Sequence, residues 1–67
     1  MITNHVVKLV TDRGETLTGF SRRADIPLNT LRNLTTGKSG AISFETLEKL
    51  CRTLGVQPGD ILTFSEN

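Results

Sequence analysis

Three planar hydrogen-bonding side chains, Asn29, Arg32 and Asn33, crowd into the stretch IPLNTLRNL at residues 26–34. An Asn amide donates and accepts at once, so it can pair bidentately with adenine N6 and N7; an Arg guanidinium makes the matching pair with guanine O6 and N7. At 100° per residue, a helix that buries Leu31 and Leu34 turns these three residues to its opposite side, within about 100° of one another. That is the composition a reader of base edges in a major groove needs. Asn and Arg also populate ordinary solvated faces, so the surrounding elements must decide between the two.

Other residues that could do chemistry lack partners at workable spacing. The GKS at 37–39 resembles the end of a Walker A loop, but that motif requires Gly at position 32, which is Arg32, and a preceding strand. His5 is the sole histidine, and no His, Cys or carboxylate stands near it at ligand spacing, so it reads as a solvated or capping residue and no metal is expected. Cys51, the one cysteine, falls on an apolar stripe where a free thiol behaves as a small hydrophobe. Glu45 and Glu48 lie three apart on an exposed face and read as surface charge rather than an acid/base pair. No enzyme, cofactor or small-molecule ligand is indicated.

Composition narrows the class further. The chain has 67 residues, 36% hydrophobic and 22% charged, which allows one domain, 1–67, with a modest core. A single Cys excludes an internal disulfide, and the absence of Trp and Tyr argues against an aromatic stacking platform. No apolar run reaches membrane-spanning length and the N-terminus lacks a leader pattern, so a cytoplasmic protein without a membrane partner is expected. The formal net charge is only +1, yet it is unevenly spread. Between 16 and 43, Arg22, Arg23, Arg32 and Lys38 oppose Asp25 alone, whereas between 44 and 67 Lys49 and Arg52 oppose Glu45, Glu48, Asp60 and Glu66. A basic middle and an acidic tail suggest one face prepared for an anionic partner.

Five short helices account for the chain, and no strand is expected. Val6, Leu9 and Val10 share a face, with Thr3 or Asn4 as N-cap and Gly14 as terminator, giving a helix near 4–13. Thr16 caps a second near 17–24 with Phe20 and Ala24 buried. Asp25 and Ile26 make a tight connection, and Pro27 suits the first turn of a third helix near 28–35. Ser43 caps the clearest stripe, Leu47, Leu50, Cys51 and Leu54, in a helix at 44–54 stopped by Gly55. Pro58 opens a fifth, near 58–63, whose Ile61 and Leu62, with Phe64 after them, close the core. The fold class is therefore all-α.

Two short helices joined by a tight turn and followed by core helices make a helix-turn-helix pattern. The stretch LTGFSRRADIPLNTLRNLTTGK resembles the lambda-repressor-like, Cro-type family of small bacterial or phage transcriptional regulators. Thr16 matches the family's capping Ser, Phe20 its Leu, Ser21 its Ala, Asp25 its turn Gly, Ile26 its Val or Ile, Leu31 its Ile, and Gly37-Lys38 its closing Gly-Lys. The segment ISFETLEKLCRTLGVQPGDILTF resembles the fourth and fifth helices of small members, so the likeness runs without gaps over roughly residues 5–64.

The resemblance implies a compact five-helix DNA-binding domain with its helix-turn-helix in helices two and three, acting as a homodimer on a pseudo-palindromic operator in double-stranded DNA. Leu28, Asn29, Arg32 and Asn33 are then expected to read bases. Thr16, Leu17, Thr18, Thr36, Lys38 and Ser39 are expected along the DNA backbone, and Val56, Ile61 and Phe64 at a dimer contact. One of Arg22 and Arg23 is expected to pair with an acid on the core helices. Departures from the family pattern cluster at this surface: Leu17 replaces a usual Gln, Pro27 a capping Ser or Thr, and Leu28 a polar residue. They fit apolar contact with a thymine methyl. They also fit an alternative, a protein-interaction module (antirepressor, antitoxin or co-regulator) on the same scaffold.

Overall fold

Local capping chemistry defines two of the three central helices, those at Leu17–Ala24 and Phe44–Leu54. The structure, a computed structural model, describes residues 1–38 and 40–66. Its elements run β1 (Ile2–Asn4), α1 (Val6–Asp12), α2 (Leu17–Ala24), α3 (Leu28–Thr35), α4 (Phe44–Leu54), α5 (Pro58–Ile61) and β2 (Leu62–Phe64). The hydroxyl of Thr16 accepts from the Gly19 amide at 3.1 Å, and that of Ser43 from the Thr46 amide at 3.1 Å. Each bond satisfies an amide that the first helical turn leaves without an internal partner. Gly55, at φ 69°, closes α4 in the left-handed conformation.

Among the described residues there are five helices, but the expectation of a purely helical chain fails at both ends. β1 and β2 form an antiparallel pair with Ile2 opposite Phe64, Thr3 opposite Thr63 and Asn4 opposite Leu62. Their backbone pairing takes Asn4 out of the first helix and residues 62–63 out of the fifth, so α1 begins at Val6 and α5 ends at Ile61. The seam continues where the His5 amide donates to the Ile61 carbonyl at 2.8 Å. His5 holds the cap position of α1 without a side-chain cap bond, and its Nε2 lies 2.8 Å from the Thr63 hydroxyl. The amide of Val6 is satisfied instead by Asn4 Oδ1 at 2.9 Å.

One apolar cluster joins the helices. Val6, Val10, Phe20, Leu31, Leu50 and Ile61 are fully shielded from solvent, with Ala24, Ile26 and Leu54 nearly so. Phe20 from α2 and Leu31 from α3 are the largest of the fully buried side chains on those helices, and each contributes about 1.5–3 kcal/mol by leaving water. Phe64 is not among them. Strand pairing carries it to the exposed end of the sheet beside Ile2, and it is 67% exposed.

The connection between α2 and α3 is fixed by backbone geometry. Asp25 adopts φ 58° and ψ 45°, and the Ile26 amide donates to the Ser21 carbonyl at 3.0 Å, so the chain reverses in three residues. Ile26 is buried behind the turn, and Pro27 at φ −56° leads directly into α3. Lys49 from α4 donates from Nζ to the Asp25 carbonyl at 2.9 Å, bracing the turn from below. A left-handed backbone strains an Asp and costs a Gly nothing sterically. Asp25→Gly should therefore raise stability by about 0.5–1 kcal/mol, read as a higher denaturant midpoint at unchanged m-value. Its lost 3.7 Å ion pair with Lys49 subtracts little, because the Asp25 side chain is almost wholly solvated.

Candidate nucleic-acid interface

The exposed side of α3 follows from the residues it buries. Taking Leu31 as the inward direction, Arg32, Asn29 and Asn33 lie about 100°, 160° and 200° round the helix. All three are exposed, while Leu31 is buried and Leu34 half-buried against the core. Among the described residues, none of the three side chains has an intramolecular hydrogen bond or ion pair, so their donors and acceptors all face solvent. Thr36 shares this side, with its hydroxyl donating to the Arg32 carbonyl at 2.8 Å and its own lone pairs open.

The helix presenting these groups is held at both ends. Asn4 donates from Nδ2 to the Leu34 carbonyl at 2.6 Å, so the same amide that caps α1 also fastens the last turn of α3 to β1. Lys49 secures the turn at its start. Neither residue stood out in the sequence as part of the site, since both contacts join segments far apart in the chain.

The start of α2 lies on the other side of the turn. Thr16 has its hydroxyl committed to the Gly19 amide, and Thr18 is exposed. Leu17 is half-buried and packed against the core, leaving its backbone N–H at the first position of the helix. Leu28 is half-buried but stands outside the core cluster, on the flank between the inward side of α3 and its polar side. Lys38 is exposed, and the Asn33 carbonyl accepts from its amide at 3.0 Å, closing α3. Ser39, expected at the same backbone contact, lies outside the described residues.

Cations in the basic middle segment divide into two groups. Arg23 is neutralised: Nε donates to Glu15 Oε2 at 3.1 Å, Nη2 bonds Oε1, and the guanidinium lies 5.7 Å from the centre of the Phe20 ring. Hydrogen bonding to Glu15 raises the Arg23 pKa above its ordinary value, opposed by desolvation and aided by the Glu15 charge. Its acidic partner comes from the connection before α2, not from the core helices as expected. Among the described residues, Arg22, Arg32 and Lys38 make no ion pair. They remain available to an external anion.

The expected dimer residues separate as well. Ile61 is fully buried in the chain's own core, so its side chain presents no surface to a partner. Val56 is half-buried against the same core, and Phe64 is exposed. Among the described residues, no group of three or more His, Cys, Asp or Glu is arranged to hold a metal ion, and no helix is long and apolar enough to cross a membrane.

Comparison with known proteins supplies what the geometry alone does not. The family model for the Cro/C1-type HTH DNA-binding domain matches residues 5–67. The chain belongs to that family. It is also 39% identical over 56 residues to the uncharacterized HTH-type transcriptional regulator YozG of Bacillus subtilis (strain 168), a match covering 84% of this chain and 67% of that protein. No solved structure gives a significant match.

Proposed function

We propose that this chain is a sequence-specific double-stranded DNA-binding regulator of transcription that acts as one unit, residues 1–67, in the cytoplasm. In this reading α2, the Asp25–Pro27 turn and α3 are the helix-turn-helix, and α3 enters the major groove. The observation that carries it is the exposed side of α3: three bidentate-capable side chains without an intramolecular hydrogen bond or ion pair among the described residues. Membership in a DNA-binding domain family and likeness to an HTH-type transcriptional regulator support the same conclusion.

Asn29 and Asn33 read base edges, Arg32 pairs with a guanine or holds a phosphate, and Leu28 lies against a thymine methyl. The amides of Leu17 and Thr18 at the start of α2 meet a phosphate, with the Thr18 hydroxyl beside them, because a helix N-terminus favours anions. Thr16 serves that site by capping the helix. Thr36, Lys38 and Ser39 grip the neighbouring backbone. Two copies bind half-sites one helical turn apart on a pseudo-palindromic operator.

The alternative, a protein-interaction module, takes Leu17, Pro27 and Leu28 as its contact residues. With Leu17 packed against the core, that set is reduced to Leu28 and the exposed Pro27. Lys38→Ala distinguishes the readings. If Lys38 neutralises a phosphate, the substitution weakens binding on every duplex and lowers the salt slope of log K by about one unit. A slope identical to that of the parent chain removes Lys38 from the interface.

A further inference from the structure

We propose that Asn4 is a positioning residue for base reading: without touching DNA, its side-chain amide holds the last turn of α3 at the angle from which Asn33 discriminates. The inference rests on the reading above, in which α3 enters the major groove, and adds a residue that governs the specificity of that site from a distance.

A helix leaves its last four carbonyls without internal partners. The chain that follows α3 serves two of them, the Thr36 amide donating to the Arg32 carbonyl at 2.9 Å and the Lys38 amide to the Asn33 carbonyl at 3.0 Å. The Leu34 carbonyl, next in line, accepts from Asn4 Nδ2 at 2.6 Å, across a sequence separation of 30. The other end of the same amide is committed as well, with Oδ1 accepting from the Val6 amide at 2.9 Å. One planar group thus ties the carbonyl end of α3 to the amide end of α1. Asn4 is itself held in register opposite Leu62, and beyond that pairing the Ser65 amide donates to the Met1 carbonyl at 2.8 Å.

A hollow of about 620 Å³ opens beside this clasp, with Asn4, Leu34, Thr35, Gly37 and Ile42 in its wall. Close-packed side chains would resist rotation of the turn; a hollow does not, so the hydrogen bond sets the angle on that side. Asn33, directly before Leu34, is displaced first when the angle changes. Side-chain tips stand about 5–6 Å from a helix axis, so a rotation of about 10° moves one by about 1 Å. The usual N–H···O range spans only about 0.5 Å. A bidentate pair of Asn33 with adenine is lost in such a shift, whereas the long, flexible Lys38 side chain follows its phosphate. Asn29 lies in the first turn of α3, where Lys49 braces the entry. Discrimination by Asn33 is therefore the property that Asn4 controls.

Asn4→Ser tests this. A serine hydroxyl accepts from an amide two residues on, as Asn does, but is too short to reach the Leu34 carbonyl. Competition binding against single-base operator variants is measured where circular dichroism shows parent and variant equally folded. Discrimination at the base read by Asn33 should fall roughly three- to tenfold. Affinity for unrelated duplex and the salt slope should keep their parent values, since a merely structural role would scale every duplex alike. In an Asn33→Ala chain, Asn4→Ser should cost almost nothing further, because the side chain it positions is gone. In the free protein, amide hydrogen exchange should quicken at Thr35 and Thr36 but not within α4. Parent-like discrimination by Asn4→Ser, an equal loss on all duplexes, additive effects of the two substitutions, or unchanged exchange at the end of α3 would each overturn the proposal. A parent chain that prefers no sequence overturns it together with the reading it rests on. A discriminating parent whose Asn4→Ser variant discriminates equally overturns it alone.

Discussion

Leu31→Ala is expected to cost about 2–5 kcal/mol of folding free energy. Leu31 is fully buried, its neighbours come from several helices, and truncation leaves a cavity that the short α3 cannot collapse to fill. Stability of roughly 0.05–0.15 kcal/mol per residue gives a 67-residue chain about 3–10 kcal/mol in all. Much of the population should therefore be unfolded at 37 °C. Urea denaturation followed by circular dichroism measures the loss, and a midpoint within error of the parent's would mean that α3 is not anchored by Leu31. DNA affinity should fall with the folded fraction, and no selective change in base preference should accompany it.

Asn33→Ala is the functional counterpart, since it removes an exposed side chain that makes no hydrogen bond among the described residues. It should leave the denaturant midpoint nearly unchanged. On DNA it should cost on the order of 1–3 kcal/mol at one base position and relax preference there, with other positions keeping their discrimination. Competition binding against single-base operator variants resolves this pattern. A uniform loss across all variants would make Asn33 a backbone contact; no loss at all would take it out of the groove. The contrast between Leu31 and Asn33, two residues apart on one helix, separates holding the reader from reading.

The central helices were legible in the sequence because their boundaries are local chemistry. Thr16 and Ser43 are capping hydroxyls, Pro27 fixes the entry of α3, and Gly55 supplies a left-handed stop. Helices at 17–24, 28–35 and 44–54 therefore appear where the residue pattern put them. The unusual left-handed backbone at Asp25 follows from the same tight connection. Exposure of Asn29, Arg32 and Asn33 was equally legible, since 100° steps from two leucines determine it.

Long-range pairing was not. Strands of three residues show no alternation that a pattern can detect, and β1 and β2 meet across almost the whole chain. That one pairing moved the ends of α1 and α5 and brought Phe64 out of the core. Ile61 was expected both in the core and at a partner contact, and it lies in the core: hydrophobicity marks a residue for burial without saying whether its own core or a partner covers it. The fastening of α3 by Asn4 and of its turn by Lys49 left no trace in spacing, because the accepting groups are backbone carbonyls supplied by other segments. Side-chain type gave the candidate readers; only the fold shows what holds them still.

Selection of bound sequences from a randomised duplex library, followed by a salt titration on the enriched site, tests the central claim most directly. The account predicts a two-fold symmetric motif whose affinity falls steeply with salt, as expected when several phosphates are neutralised on each half-site. Enrichment of no sequence, at low salt and high protein concentration, would contradict it.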